Sequence, residues 1–308
     1  MREFKIDFNK TFKPFLLAYV CIFVIGIIIA AIFGVNLDTN FAGGTQITYS
    51  YSGELKVDDF EKEIDKVLDK DFTLTESTSV AGDTKTLEIE LIGKNALSVD
   101  DQQELTSALQ AKFKDNKIDV YGSNSASATL AGTFFVRSMV AVLLCAILVV
   151  IYVGIRFRKI GGISAALTAL VALVFDVLLS FFVCVFFGLQ IDDNYIAVVL
   201  TLLGYSLNDT IVIYDRIREN RRLYPEKEIG DVVNMSVNKV MIRNIVTTIT
   251  TIAAVVTIIV VAELYGITTL RTLAIPMAFG LISGSVSSIF ISGPLWVIWK
   301  RYKAKKAK

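Results

Sequence analysis

Apolar residues in this chain gather into six long blocks, at 15–33, 134–155, 163–187, 195–214, 245–262 and 273–299. A helix needs about 17–25 such residues to cross a bilayer, so each block predicts a membrane span. A polar segment of domain size separates the first block from the second. Inside it, Gln46, Thr48 and Ser50 alternate with Ile47, Tyr49 and Tyr51, which predicts a strand over 45–51. Val57, Phe60, Ile64, Val67 and Leu68 recur at helical spacing and predict a helix over 57–68. Residues 72–80 and 84–92 read as strands on either side of Gly82-Asp83, a two-residue hairpin signal. Ser98 and Asp101 open a second helix in capping-box style, carrying Leu105, Leu109 and Phe113, and a short strand over 117–121 closes the unit. The order β-α-β-β-α-β is that of a ferredoxin-like sandwich. The predicted fold is an α-helical membrane protein of six transmembrane helices with an α+β ferredoxin-like extracytoplasmic domain.

Charge sets the expected orientation. Arg2, Lys5, Lys10 and Lys13 precede the first span, Arg156, Arg158 and Lys159 follow the second, and Arg216, Arg218, Arg221 and Arg222 follow the fourth. Lys300, Arg301, Lys303, Lys305, Lys306 and Lys308 end the chain, whereas the turns near 190–194 and 263–271 hold few positive charges. The positive-inside rule then predicts a cytoplasmic segment 1–14, a first helix 15–33 and an extracytoplasmic domain 34–133. Helices two to six occupy 134–299, with a cytoplasmic amphipathic loop near 215–244, and 300–308 forms a basic cytoplasmic tail. The apolar part of the first span is too long for a signal peptide, so it reads as a retained anchor. In the amphipathic stretch, Ile229, Val232, Val233 and Val237 oppose Glu226, Asp231, Asn234 and Asn238, which predicts a segment along the inner membrane face or on a neighbouring loop.

Composition narrows the chemistry. With 54% hydrophobic residues and a mean hydropathy of +0.58, the chain is too apolar for an ordinary soluble protein. It has no histidine, so any proton relay must use carboxylates, hydroxyls or water, and imidazole metal sites are excluded. Cys21, Cys145 and Cys184 all lie in apolar spans and read as small buried hydrophobes rather than a disulfide or zinc framework. No cofactor, metal, nucleic-acid partner or enzymatic activity is expected, and no ATP-binding motif is present.

Polar residues inside the spans carry the functional signal. A carboxylate in mid-span costs roughly 2.5–3.5 kcal/mol on insertion scales, so it usually faces the bundle interior and has a role. Asp176 lies in the third span; Gly204, Ser206, Asn208 and Asp209 lie in the fourth. Asp209 is six residues before Asp215, or roughly 9 Å inside the span at about 1.5 Å per residue. Arg243 stands at the start of the fifth span, where its long side chain can reach a similar depth. An Asp209–Arg243 pair would hold the carboxylate ionised, and breaking it would let a proton bind. Gly280, Gly284 and Ser288 form a small-residue stripe that permits close helix approach. At the junction of first span and domain, Gly43-Gly44 reads either as a turn needing unusual dihedrals or as a hinge or packing point.

The run Gly204-Tyr205-Ser206-x-Asn208-Asp209-Thr210-x-Val212-x-x-Asp215-Arg216-Ile217-Arg218-Glu219-Asn220 is similar to the signature of the SecD/SecF family of bacterial protein-export membrane proteins. Asp38-x-x-Phe41-x-Gly43-Gly44-Thr45, Arg243 and Ser283-Gly284-x-x-Ser287-Ser288 extend the resemblance over essentially the whole chain. It implies one half of an RND-type machine, completed by a SecD half in the bacterial cytoplasmic membrane and associated with the SecYEG translocon and YidC. Such a machine uses the proton motive force to draw unfolded polypeptide outward, and its coupling acid and base fall on Asp209 and Arg243. Where the family commonly has His-Asp in the third span, this chain has Phe175-Asp176. Two other readings share some features. One is a half-size RND-like transporter of a lipid or small molecule. The other is an intramembrane aspartyl protease using Asp176 and Asp209, although Ser206-Leu207-Asn208-Asp209 lacks the Gly-x-Gly-Asp motif of that class.

Overall fold

A computed structural model describes residues 6–68, 72–78, 85–92, 97–126 and 128–306 of the chain. The hairpin signal at Gly82-Asp83 and the basic residues Arg2, Lys5 and Lys308 lie outside the described residues. The elements run α1 (Phe8–Phe33), α2 (Thr39–Ala42), β1 (Gly44–Tyr51), α3 (Val57–Val67), β2 (Thr73–Thr78), β3 (Lys85–Ile92), α4 (Val99–Lys112) and β4 (Asp119–Ala126). Then follow α5 (Ala128–Arg156), α6 (Gly162–Phe186), α7 (Asp193–Leu223), α8 (Ile229–Tyr265), α9 (Thr268–Ser287) and α10 (Gly293–Lys306). Among the described residues, six helical segments are long and apolar enough to cross a membrane, the sixth being α9 with α10.

Burial separates a rim from a centre. The most apolar stretches of α1 and α5 are only 11% buried, whereas that of the α9–α10 segment is 72% buried. The last span therefore runs up the middle, packed by α6, α7 and α8, and the apolar faces of α1 and α5 are left for lipid or another protein. Cys21 sits on the exposed side of α1, which corrects the expectation that all three cysteines are buried; Cys184 is buried and Cys145 partly so. α9 and α10 are joined by a π-helical turn at Ser288–Ser292. Pro294 has no N–H to offer the carbonyl of Phe290 four residues back, which accounts for the loosened turn.

The polar segment folds as the alternation predicts. Three antiparallel pairings give the strand order β2-β3-β1-β4, with β3 between β2 and β1 as in a split β-α-β unit. Ile47, Tyr49 and Tyr51 bury one sheet face against Phe60 and Ile64 of α3 and Leu105 and Leu109 of α4. The Ser98–Asp101 capping box forms at the start of α4. The last strand is longer than expected and begins after Lys117, whose φ of +46° reverses the chain before β4.

The predicted loop at 215–244 is mostly helix, because α7 continues to Leu223 and α8 starts at Ile229. Its amphipathic part is not laid on a membrane surface. Val232, Val233 and Val237 are fully buried, and the polar face is taken up by the chain preceding α1. Asn238 accepts the Ile6 N–H at 3.1 Å and donates to the Ile6 carbonyl at 2.9 Å, while Asn234 accepts the Phe8 N–H at 3.1 Å. Side-chain amides thus satisfy backbone groups of the segment leading into α1, fixing the basic end of the bundle.

The chain leaves α1 through a tight junction. Asp38 caps α2, Phe41 packs edge-on to Phe134 and Phe135 of α5, and Gly43 and Gly44 take φ of +78° and +144°. A side chain is strained in that region, so the glycine pair serves here as the turn into β1.

Candidate functional site

Asp176, one of the two mid-span carboxylates, is the hub of the bundle. It is 1% exposed on α6 and accepts three hydroxyls: Ser206 Oγ of α7 at 2.6 Å, Ser283 Oγ at 2.6 Å and Ser287 Oγ at 3.0 Å, both of α9. Tyr19 of α1 joins the cluster through Ser283 Oγ at 2.9 Å. Phe175, next to Asp176 in sequence, packs tilted against Tyr19 and edge-on against Phe23, with ring centroids 5.3 and 5.4 Å apart. The close approach depends on glycine. A Cβ on Gly284 would lie 3.0 Å from Ser206 Cβ, and one on Gly280 would lie 2.4 Å from Leu202.

From this hub a series of hydroxyl contacts descends toward the basic end. Thr210 meets Ser288 at 2.9 Å, and one turn lower Tyr214 meets both Ser292 at 2.8 Å and Thr168 at 2.7 Å. Lower still, Trp296 Nε1 donates to Ser164 Oγ at 3.1 Å. The α7 partners Ser206, Thr210 and Tyr214 recur every four residues and so share one helix face. Facing them, the π-turn presents Ser288 and Ser292 inward.

Asp209 is built differently. It is 2% exposed, yet its Oδ2 has no hydrogen-bond partner. Arg243 of α8 lies near enough to attract it, but among the described residues no ion pair joins them within 4 Å. Arg243 is exposed and lines a cavity of about 880 Å³ at the basic end, with Val212, Asp215, Arg216, Arg218 and Lys239. The guanidinium thus stands between a buried carboxylate and an open, strongly charged vestibule. Asp215 is itself tied to Arg156 at 3.1 Å and Arg218 at 2.8 Å.

The remaining predicted residues fall into two groups. Asn208 and Gly204 do not join Asp209; both are exposed, and a Cβ on Gly204 would meet nothing within 4 Å. With Thr201 they form a small, polar face of α7 that this chain leaves uncovered. Gly280, Gly284 and Ser288 sit at the α7–α9 contact, and Gly43 and Gly44 at the domain junction. Sequence reading missed Asn244, which is buried beside Arg243 with its Nδ2 unpartnered, and the part Tyr19 and Tyr214 play in the hydroxyl clusters. An asparagine inside an apolar run was the available signal for the first; nothing local marks the tyrosines. Among the described residues no cluster of acidic or cysteine side chains could hold a metal ion.

Comparison with known proteins places this arrangement. Residues 105–302 match the family described as "Protein export membrane protein SecD/SecF, C-terminal". The protein translocase subunit SecF of Sebaldella termitidis is 34% identical over 88% of this chain and 84% of its own length. That of Alicyclobacillus acidocaldarius is 33% identical over 98% and 96%. The protein translocase subunit SecDF of Bacillus subtilis is 30% identical over 98% of this chain, which spans only 39% of that longer protein. The crystal structure of SecDF, a translocon-associated membrane protein from Thermus thermophilus, superposes with a TM-score of 0.80 at 25% identity, covering 97% of this chain and 39% of that one. The chain is a multi-pass membrane protein of the family these relatives define. It belongs to the SecD/SecF family of protein-export membrane proteins.

Proposed function

We propose that this chain is an auxiliary subunit of Sec protein export that works with a SecD half and draws on the proton motive force to promote late translocation of unfolded polypeptide. The SecDF relatives, of which it spans about two-fifths, support pairing with SecD. By the same token SecYEG and YidC are the expected neighbours. The basic end of the bundle, with both termini, lies in the cytoplasm and the α/β domain lies outside the cytoplasmic membrane, as the positive-inside rule directs. The subunit acts mechanically rather than as an enzyme.

Asp209 carries the reading. A buried carboxylate with an unpartnered oxygen, set behind an arginine at the mouth of a cytoplasmic vestibule, can exchange a proton when the arginine moves. Each charge crossing the membrane releases about 2.3 kcal/mol per 100 mV. Asp176 takes the supporting part, keeping α6, α7 and α9 in register while Asp209 changes state, and Asn208 faces the position a partner half would take.

The test is preprotein translocation into vesicles carrying Asp209→Asn in complexes shown to assemble normally. Stimulation by an imposed proton gradient should vanish while gradient-free translocation persists. Unchanged stimulation would move the ion path to Asp176 or to the partner half.

A further inference from the structure

The α/β domain meets the bundle at a buried carboxylate that the coupling above does not use. Glu90 of β3 is 8% exposed. Its Oε1 accepts the backbone N–H of Thr39, the first residue of α2, at 3.2 Å. Its Oε2 accepts the side-chain amide of Gln190, in the turn between α6 and α7. That turn is stitched to the segment leaving α1: the Asp38 N–H donates to the Ile191 carbonyl at 3.1 Å, and the Ile191 N–H to the Asn36 carbonyl at 2.8 Å. Glu90 therefore ties the sheet to the covalent stalk of the domain and to the turn joining the helices that carry Asp176 and Asp209.

Its surroundings are acidic. The stalk presents buried Asp38, β3 itself presents Glu88, and the N-cap of α7 presents Asp192. Opposite Glu90 in the sheet stand the neutral Gln46 of β1 and Thr73 of β2. Among the described residues lining this cleft of about 360 Å³ the one cation is Arg271 of α9, and Glu263 holds it at 2.9 Å. Burial, foremost, pushes the Glu90 carboxyl up to about 7; Asp38 and Glu88 add to this against the Gln190 and Thr39 hydrogen bonds.

We propose that the Glu90–Gln190 contact is a proton-operated latch, in which protonated Glu90 keeps the α/β domain seated on the α6–α7 turn and ionised Glu90 releases it. Protonation removes a buried charge from the cluster and supplies an O–H that the Gln190 amide, turned to present its oxygen, can accept. The direction follows from linkage. A released, hydrated glutamate titrates near about 4.3, so between that value and about 7 the seated state holds a proton that the released state lacks. Seating is favoured in acid, weakens as pH rises through this window and levels off above it. With the domain outside, which rests on the orientation proposed above, the acidic side of an energised membrane holds it seated.

The experiment measures distance rather than translocation, so it stands or fails apart from Asp209. Spin labels at Ser107→Cys on α4 and Leu264→Cys at the end of α8 would be placed in the full chain with its native cysteines replaced. After reconstitution in liposomes, the distance distribution is recorded from pH 5 to pH 8.5. A single short distance in acid should give way to a longer population as pH rises, and Glu90→Gln should keep the short distance throughout. Gln190→Leu should enlarge the long population at every pH, Glu88→Gln should keep the transition but move its midpoint to lower pH, and Asp209→Asn should leave it in place. A wild-type distribution indifferent to pH, or a transition surviving in Glu90→Gln, would overturn the latch.

Discussion

Asp176 and Asp209 are aspartates on adjacent helices, each almost without exposed surface, and the bundle treats them in opposite ways. Three hydroxyls from two helices converge on Asp176. Asp209 keeps one oxygen without a partner and has an arginine nearby that makes no close ion pair. A fully bonded carboxylate in a low-dielectric interior fixes the groups around it, because moving any of them strands a polar atom. One with an unpartnered oxygen can change protonation at lower cost. Burial alone therefore does not mark the moving charge in this bundle; the pattern of partners does.

The largest effect should come from removing the fixed member. Asp176→Ala takes the acceptor from Ser206 and one partner each from Ser283 and Ser287, which keep Tyr19 and the Gly284 carbonyl, and a loss of about 3 kcal/mol is expected in thermal unfolding in detergent. Asp209→Ala should cost less than about 1 kcal/mol in the same assay, since its Oδ2 gives up no bond. Equal losses would erase the distinction. Next comes the glycine that admits the cluster. Gly284→Ala drives a methyl against Ser206 and should cost about 1–3 kcal/mol, whereas Gly204→Ala, with open space around it, should be neutral or slightly stabilising.

Smaller effects sharpen the boundary of the fixed region. Tyr214→Phe removes a hydroxyl shared by Thr168 and Ser292 and should cost about 1 kcal/mol without altering gradient stimulation. A lost response to the gradient would extend the ion path into the hydroxyl series. Asn208→Ala should change the stability of the isolated chain by less than about 0.5 kcal/mol. Its effect belongs in co-purification with the partner half, and a destabilised isolated chain would contradict the exposed position of Asn208.

Helix number and the sheet were legible in the residues. Six apolar blocks could only be helices at that length, and Ile47, Tyr49 and Tyr51 declared the buried face of β1 by alternation. The stretch 229–238 was not legible in the same way. Its amphipathic pattern is the same whether the apolar face meets lipid or α10, and only the amides of Asn234 and Asn238, bonded to the segment before α1, reveal which. Asn208 and Asp209 are neighbours in sequence but about 100° apart around a helix, so one faces out and the other in.

By itself the sequence determined local and one-dimensional matters: which segments enter the membrane, which end carries the positive charge, where helices are capped and which carboxylates sit in apolar runs. Hydropathy, charge bias and backbone preference act over a few residues and need no distant partner. The tertiary structure decided which carboxylate is bonded and which is free, and that Glu90 meets Gln190 a hundred residues away. Hydrogen bonds to a buried charge require donors within about 3 Å, and only the packing of separate helices settles which donors arrive there.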